Sequence, residues 1–142
     1  MKKQALSLIG VLSLLLAAGS AMAQRTEMNA DVPFSFTVSG TTLPSGPYKI
    51  SKIGSGTTVL LIQSKDGQAV KMVAPNAVTS SKVADHSKLV FHCYSGREHC
   101  FLYEIWVQGR DSGQQLPKTS LEKEVSAAAL RYQEVPILAS RR

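Results

Sequence analysis

Apolar and polar side chains alternate along much of this chain. Val32, Phe34, Phe36 and Val38 take one side of an extended segment and Ser35 and Thr37 the other, the period-two pattern of a strand with one buried face. Pro33 cannot donate to a ladder, which puts that end at a sheet edge or at the very start of the strand. Leu43-Pro44-Ser45-Gly46-Pro47 reads as a turn, because Pro44 presets φ and Gly46 reaches conformations closed to other residues. Tyr48 to Ile53 leads back as a second strand. Thr57 to Gln63 is β-branched and apolar, Asp66-Gly67 follows, and Gln68 to Val73 resumes the apolar content. Asp-Gly between two such runs predicts a hairpin. Ala74 to Asp85, with Pro75, Asn76 and several serines, reads as a loop.

The stretch from Lys88 to Gln108 organises the rest. It holds both cysteines, two of the three histidines and the only tryptophan, and runs rich in Val, Ile, Phe, Tyr and Trp flank Ser95-Gly96-Arg97-Glu98. Such side chains suit a pleated, half-buried surface, so the segment predicts an antiparallel hairpin. A turn over Gly96-Arg97, or a wider loop over Ser95 to Glu98, sets Cys93 directly opposite Cys100. Opposed residues have Cα atoms about 4.5–5.5 Å apart, within the reach of a disulfide. The wider loop makes them a non-hydrogen-bonded pair, the closer class, and is preferred; a β-bulge would break this inference. With His92 and His99 the cysteines look like a zinc set, yet strand neighbours point to opposite faces, so a regular hairpin separates sulfurs from imidazoles.

Towards the end of the chain the period changes. Thr119-Ser-Leu-Glu122 matches a capping box, in which the Thr hydroxyl and the Glu carboxylate each satisfy an amide of the first turn. Leu121, Val125, Ala128 and Tyr132 recur at helical spacing, which predicts one helix from Ser120 to Arg131 packed on the sheet. Pro136 stops it, and Val135 to Ala139 reads as a short edge strand. Short turns between alternating strands favour a mainly β fold, an antiparallel open barrel or two-layer sandwich of about six to eight strands with one C-terminal helix.

Lys2 and Lys3 precede the apolar run Ala5 to Ala18, and Ala21-Met22-Ala23 stands before Gln24: together these predict a secretory signal peptide over residues 1–23. The run is short for a bilayer and nothing later approaches about 18 apolar residues, which argues against an integral membrane protein. Residues 24–142 are expected as a single β-rich domain, exported to the periplasm or the extracellular space. Removing Lys2 and Lys3 takes the basic side chains from 16 to 14 against 10 acidic ones, a net charge of +4 rather than +6. So small an excess speaks for solubility and not for a nucleic-acid partner. In an exported chain two cysteines read as one disulfide.

Candidate chemistry centres on His92, His99 and Glu104. The regular register puts His92 and His99 on a face with Val90, Tyr94, Phe101, Tyr103, Ile105 and Val107, where a histidine is usually packed with its nitrogens satisfied locally. His86, beside Asp85 in a polar loop, is the weaker third. The same register sets Glu104 opposite Leu89 on the face of Phe91, Leu102 and Trp106, where a carboxylate must pair, reach water or titrate upward. Asp111-Ser112-Gly113 shares its letters with the nucleophile segment of chymotrypsin-like proteases, but the chain is too short for that two-barrel fold. Ser120-Leu-Glu-Lys123 lacks the companions of the penicillin-binding enzymes, and Gly54-Ser55-Gly56 lacks the Lys of a phosphate loop. The residues call for no cofactor.

Val32-Pro-Phe-Ser-Phe-Thr-Val38, Gly40, Leu43-Pro44, Gly46 and Tyr48-Lys-Ile50 resemble the opening signature of small exported proteins common in soil bacteria, especially acidobacteria. Leu89-Val-Phe-His92, Gly109-Arg-Asp-Ser-Gly113, Leu116-Pro117 and Glu122 are similar to the second half of that group. The resemblance implies export and carries no catalytic residues. Leu43-Pro-x-Gly-x-Tyr48 is also similar to a turn-and-strand signature of prealbumin-like sandwich modules. The expected function is that of an envelope or secreted module, binding or structural and non-enzymatic, with a small apolar molecule or a sugar as candidate ligand. The alternatives are a small hydrolase using His92 or His99 and a metal-binding carrier.

Overall fold

The computed structural model describes residues 27–54, 58–129 and 131–141; the predicted signal peptide, residues 1–23, lies outside them. The strand expected over Val32–Val38 is confined to β2 (Phe36–Val38), and an unpredicted strand, β1 (Glu27–Val32), ends at Val32, where Pro33 has no N–H with which to continue a ladder. Val32, Phe34, Phe36 and Val38 are all buried and Ser35 is exposed, as expected, but Thr37, expected on the wet side, is buried where β2 lies between β3 and β9. A turn at Ser39-Gly40, both at positive φ, leads into β3 (Thr41–Leu43). β4 (Gly46–Ile53) pairs with β1, β5 (Val59–Ser64) with β4, and β6 (Val70–Val73) with β5, all antiparallel. The β5–β6 turn is the predicted one, with Gly67 at φ 75° and Asp66 Oδ1 accepting the Gln68 N–H at 3.0 Å.

The cysteine hairpin forms as predicted from β8 (Lys88–Tyr94) and β9 (His99–Trp106), with Cys93 opposite Cys100. Their sulfurs are bonded and their Cα atoms lie 4.0 Å apart, the close spacing of a non-hydrogen-bonded pair. A β-bulge is present, but beyond the disulfide: Phe91 pairs with Leu102 and Val90 with Glu104, so Tyr103 is the extra residue on β9. The expected register is thereby corrected. Glu104 stands opposite Val90 and not Leu89, because a one-residue insertion reverses the faces of everything after it. Ile105 turns into the core, and Glu104 and Trp106 join His92 and Tyr103 on the outer face.

Two further strands arise, the first within the expected Ala74–Asp85 loop. β7 (Asn76–Thr79) and β10 (Ser112–Gln115) pair with each other, and β10 pairs with β9. The expected edge strand is corrected too: β11 (Tyr132–Arg141) runs ten residues and lies between β8 and β1. Pro136 is tolerated there because β8 flanks it, while β1 pairs with β11 only from Ala139 onward. The order β3-β2-β9-β8-β11-β1-β4-β5-β6 makes a nearly closed, barrel-like sheet. At its seam Lys71 Nζ of β6 donates to Thr41 Oγ1 of β3 at 3.0 Å. The mainly β architecture is as the sequence predicts, built from more and shorter strands.

Inside, Phe34, Phe91, Phe36 and Tyr48 form a chain of edge-to-face rings with centroids 5.0 to 5.3 Å apart. Tyr48 Oη donates to the Pro44 carbonyl at 2.6 Å. Phe34, Phe36, Leu43, Tyr48 and Ile50, which carry the sequence resemblances, are thus buried core residues; they build the barrel.

The single described helix, α1 (Ser120–Ala128), begins at its predicted cap, where Thr119 Oγ1 accepts the Glu122 N–H at 3.4 Å. The other half of the capping box does not form. Glu122 turns inward instead, and the Tyr94 hydroxyl donates to its Oε1 at 3.3 Å. Glu122 is the buried residue of α1, while Leu121, expected on the packed face, is 45% exposed. The helix stops short of Arg131 because Tyr132 is taken into β11, opposite Tyr94. No helix among the described residues is long and apolar enough to cross a membrane.

Candidate functional site

The bulge in β9 gathers the chemistry-bearing side chains of the hairpin on its outer face. His92, 3% exposed, lies between two tyrosine rings, Tyr103 at 3.8 Å and 28° and Tyr132 at 4.4 Å and 32°. Its Nε2 is 3.4 Å from Glu134 Oε1, an ion-pair distance without hydrogen-bond geometry; among the described residues neither ring nitrogen has a hydrogen-bond partner. Burial pushes the imidazole pKa down, and the neighbouring Glu134 offsets that only in part.

Glu104 accepts from Trp106 Nε1 at 2.8 Å and from Gln115 Nε2 at 3.2 Å, and Gln115 Nε2 also donates to Tyr103 Oη at 2.6 Å. Burial and the nearby Glu104 charge raise the Tyr103 hydroxyl. Burial and Glu122 push Tyr94 up to about 12, and burial raises the Glu122 carboxyl in turn. Of the predicted site residues, His92 and Glu104 are therefore brought into one network. His99, opposite Tyr94 at the end of the hairpin, is exposed, as is His86. Cys93 and Cys100 face the core, bonded to each other. Among the described residues no three His, Cys, Asp or Glu side chains gather as a set able to hold a metal ion.

The network around His92 is packed, with both ring faces covered. One concavity lies at an end of the barrel, between β1, β4 and β5 on one side and β9 and β10 on the other; a larger one, of about 470 Å³, lies between the Pro44–Tyr48 and Ser64–Ala69 segments. Met28, Ile50, Leu60, Ile105 and Val107 make the apolar floor of a cavity of about 90 Å³, and Lys52, Thr58, Arg110, Ser112 and Gln114 surround it. Strand parity explains the arrangement. Tyr48, Ile50 and Lys52 alternate along the inner side of β4, as do Ile62, Leu60 and Thr58 along β5 and its approach, and the cavity opens where these inner rows become polar.

No family model, curated protein or solved structure matches this chain. The reading of the cavity therefore rests on its own residues. Arg110 sits in a pinned turn: its N–H donates to the Val107 carbonyl at 3.2 Å, its carbonyl accepts from the Ala84 N–H at 2.9 Å, and the Gly109 N–H donates to the Ala84 carbonyl at 2.9 Å. Gly113 lets β10 lie against Trp106, since a Cβ at that position would fall 2.8 Å from the indole ring. Sequence reasoning singled out neither Lys52 nor Arg110. The signal available was Lys52 itself, a cation on the inward parity of Tyr48 and Ile50.

Proposed function

We propose that this chain is a small exported binding module of the cell envelope or the extracellular space, holding a small ligand in the mouth of its barrel without chemical change. The observation that carries this reading is the mouth cavity, whose apolar floor is shared by strands from both sides of the sheet and whose surround is polar. Such a cavity at the end of a small barrel is where barrels of this size hold single small ligands. The signal-peptide pattern at residues 1–23 and a disulfide that belongs to an oxidising compartment support export. The resemblance of Val32 to Ile50 and of Leu89 to Glu122 to small exported proteins of soil bacteria supports the same reading.

The test is a titration of the exported, isotope-labelled protein with a panel of small apolar, amphipathic and sugar molecules, followed by amide resonances. Saturable shifts at Ile50 to Lys52 and Ile105 to Gln114 are the expected result. A panel that moves none of these amides sinks the reading. N-terminal sequencing of the secreted protein is expected to begin at Gln24; an uncleaved Met1 would overturn export by this signal.

A further inference from the structure

We infer that the mouth cavity takes a small amphipathic monoanion, its apolar part on Met28, Leu60 and Ile105 and its charged group towards Lys52 and Arg110. The inference rests on the binding reading above and names the class of ligand.

Charge comes first. Lys52 and Arg110 both line one small cavity, no acidic side chain lines it, and among the described residues neither cation has an ion-pair partner. Both are solvent-exposed at its rim, and two like charges at one rim raise the local positive potential, which an incoming anion relieves. Thr58, Ser112 and Gln114 add neutral donors at the same rim. The backbone that carries Arg110 is already tied to Ala84 and Val107, so little chain ordering is left to oppose binding.

Size and shape decide the rest. A volume of about 90 Å³ far exceeds the roughly 10–15 Å³ that holds one water. It falls well short of the roughly 300–1,000 Å³ of sites that enclose a drug-sized molecule. The part of the ligand that the cavity encloses is accordingly short, a few methylenes or one ring. A sugar is disfavoured because the floor is aliphatic and the flat rings of Trp106, Tyr103 and Tyr132 lie on the outer face of the sheet. Sugar sites need such faces.

Benzoate and hexanoate serve as probes, benzyl alcohol and hexanol as their neutral counterparts, and acetate as the anion without a tail. In the wild-type protein the carboxylates are expected to bind at least about tenfold more tightly than the alcohols, the discrimination of one charge-assisted contact. Acetate is expected to bind at least about tenfold more weakly than hexanoate, for want of buried methylenes. Lys52→Met and Arg110→Met, checked for an unchanged fold by their amide spectra, should each remove most of the carboxylate preference and leave the alcohols unaffected. Alcohols binding as tightly as carboxylates in the wild type, or a preference that survives both substitutions, would overturn the anion assignment and leave the binding module standing. If neither class shifts the mouth amides, the binding reading falls with it.

Discussion

Tyr103 stacks on His92 because it is the residue that β9 holds in excess of β8. The same insertion turns Glu104 to the outer face, where one carboxylate serves both Trp106 Nε1 and Gln115 Nε2. Replacing it leaves the partly buried Trp106 Nε1 without an acceptor, while Gln115 Nε2 keeps Tyr103 Oη. Glu104→Ala is expected to cost about 1–3 kcal/mol in urea unfolding, with a shift in Trp106 fluorescence. A loss below about 0.5 kcal/mol, in the range of a neutral surface change, would mean that the bulge does not depend on this contact.

His92 makes stability depend on pH in a stated direction. Its folded pKa lies below the ordinary value of 6.5, chiefly through burial, with Glu134 and Glu104 opposing and Lys118 adding to the shift. Such a group contributes its stability in full above its unfolded pKa and loses it as pH falls through the folded pKa. His92→Phe keeps a ring between Tyr103 and Tyr132 and removes two nitrogens that lack partners. The variant should lie within about 1 kcal/mol of the wild type at pH 7 and should lose less stability on acidification to pH 5. Parallel pH profiles for the two proteins would refute the assignment.

Tyr94 and Glu122 are coupled across the hairpin and the helix. The carboxyl pKa is raised, so its contribution runs the other way: it is complete below 4.5 and is lost as pH climbs through the folded value. Tyr94→Phe deprives a buried carboxylate of its hydroxyl donor and should cost about 1–3 kcal/mol. In a Glu122→Gln background the same change should cost less, because no charge is left stranded. A double-mutant cycle reads the difference directly, and additive losses would contradict it.

How much of this was legible beforehand depended on sequence distance. The Asp66-Gly67 turn, the Thr119 cap and the Cys93–Cys100 pairing are decided by residues within a few positions of one another, and local chemistry found them. The bulge at Tyr103 was not legible, because nothing in Leu102-Tyr-Glu-Ile105 signals an extra residue; it follows from what β10 and β11 place against the hairpin. Glu122 carried a sound helix-start signal and still broke the expected apolar face, since Tyr94, 28 residues earlier, offered it a buried hydroxyl. β7 and β10, four residues each, are strands only through their partners, β7 through β10 and β10 through β7 and β9. Lys52 was legible in parity, but parity marks a mouth only once the sheet is known to curl.

The Cys93–Cys100 bridge closes a short loop within one hairpin, with a sequence separation of 7. Chain entropy assigns such a loop about 2–3 kcal/mol. A Cys93→Ala, Cys100→Ala double variant should fall in midpoint by about that amount, with a little more for the emptied core volume. Thiol titration of the unreduced protein should find no reactive group, as both cysteines are bonded. Two titratable thiols would disprove the bridge.

Gly113 is the position where backbone and indole come closest. An added methyl would meet the Trp106 ring at 2.8 Å and the Ile105 carbonyl oxygen at 3.0 Å, and the carbonyl belongs to the paired strand and cannot step aside. Gly113→Ala should therefore destabilise by about 1–3 kcal/mol, seen as a lowered melting temperature. An unchanged melt would show that β10 lifts away from β9 at little cost.

β11 follows every other strand along the chain and yet stands in the middle of the sheet, pairing Tyr132 with Tyr94 on one flank and Arg141 with Met28 on the other. During synthesis the ring must stay open until this final segment emerges, and contacts that span so many residues form slowly. A polypeptide arranged in this way delays its own closure, because the strands on both flanks of β11 stay unjoined until β11 is in place.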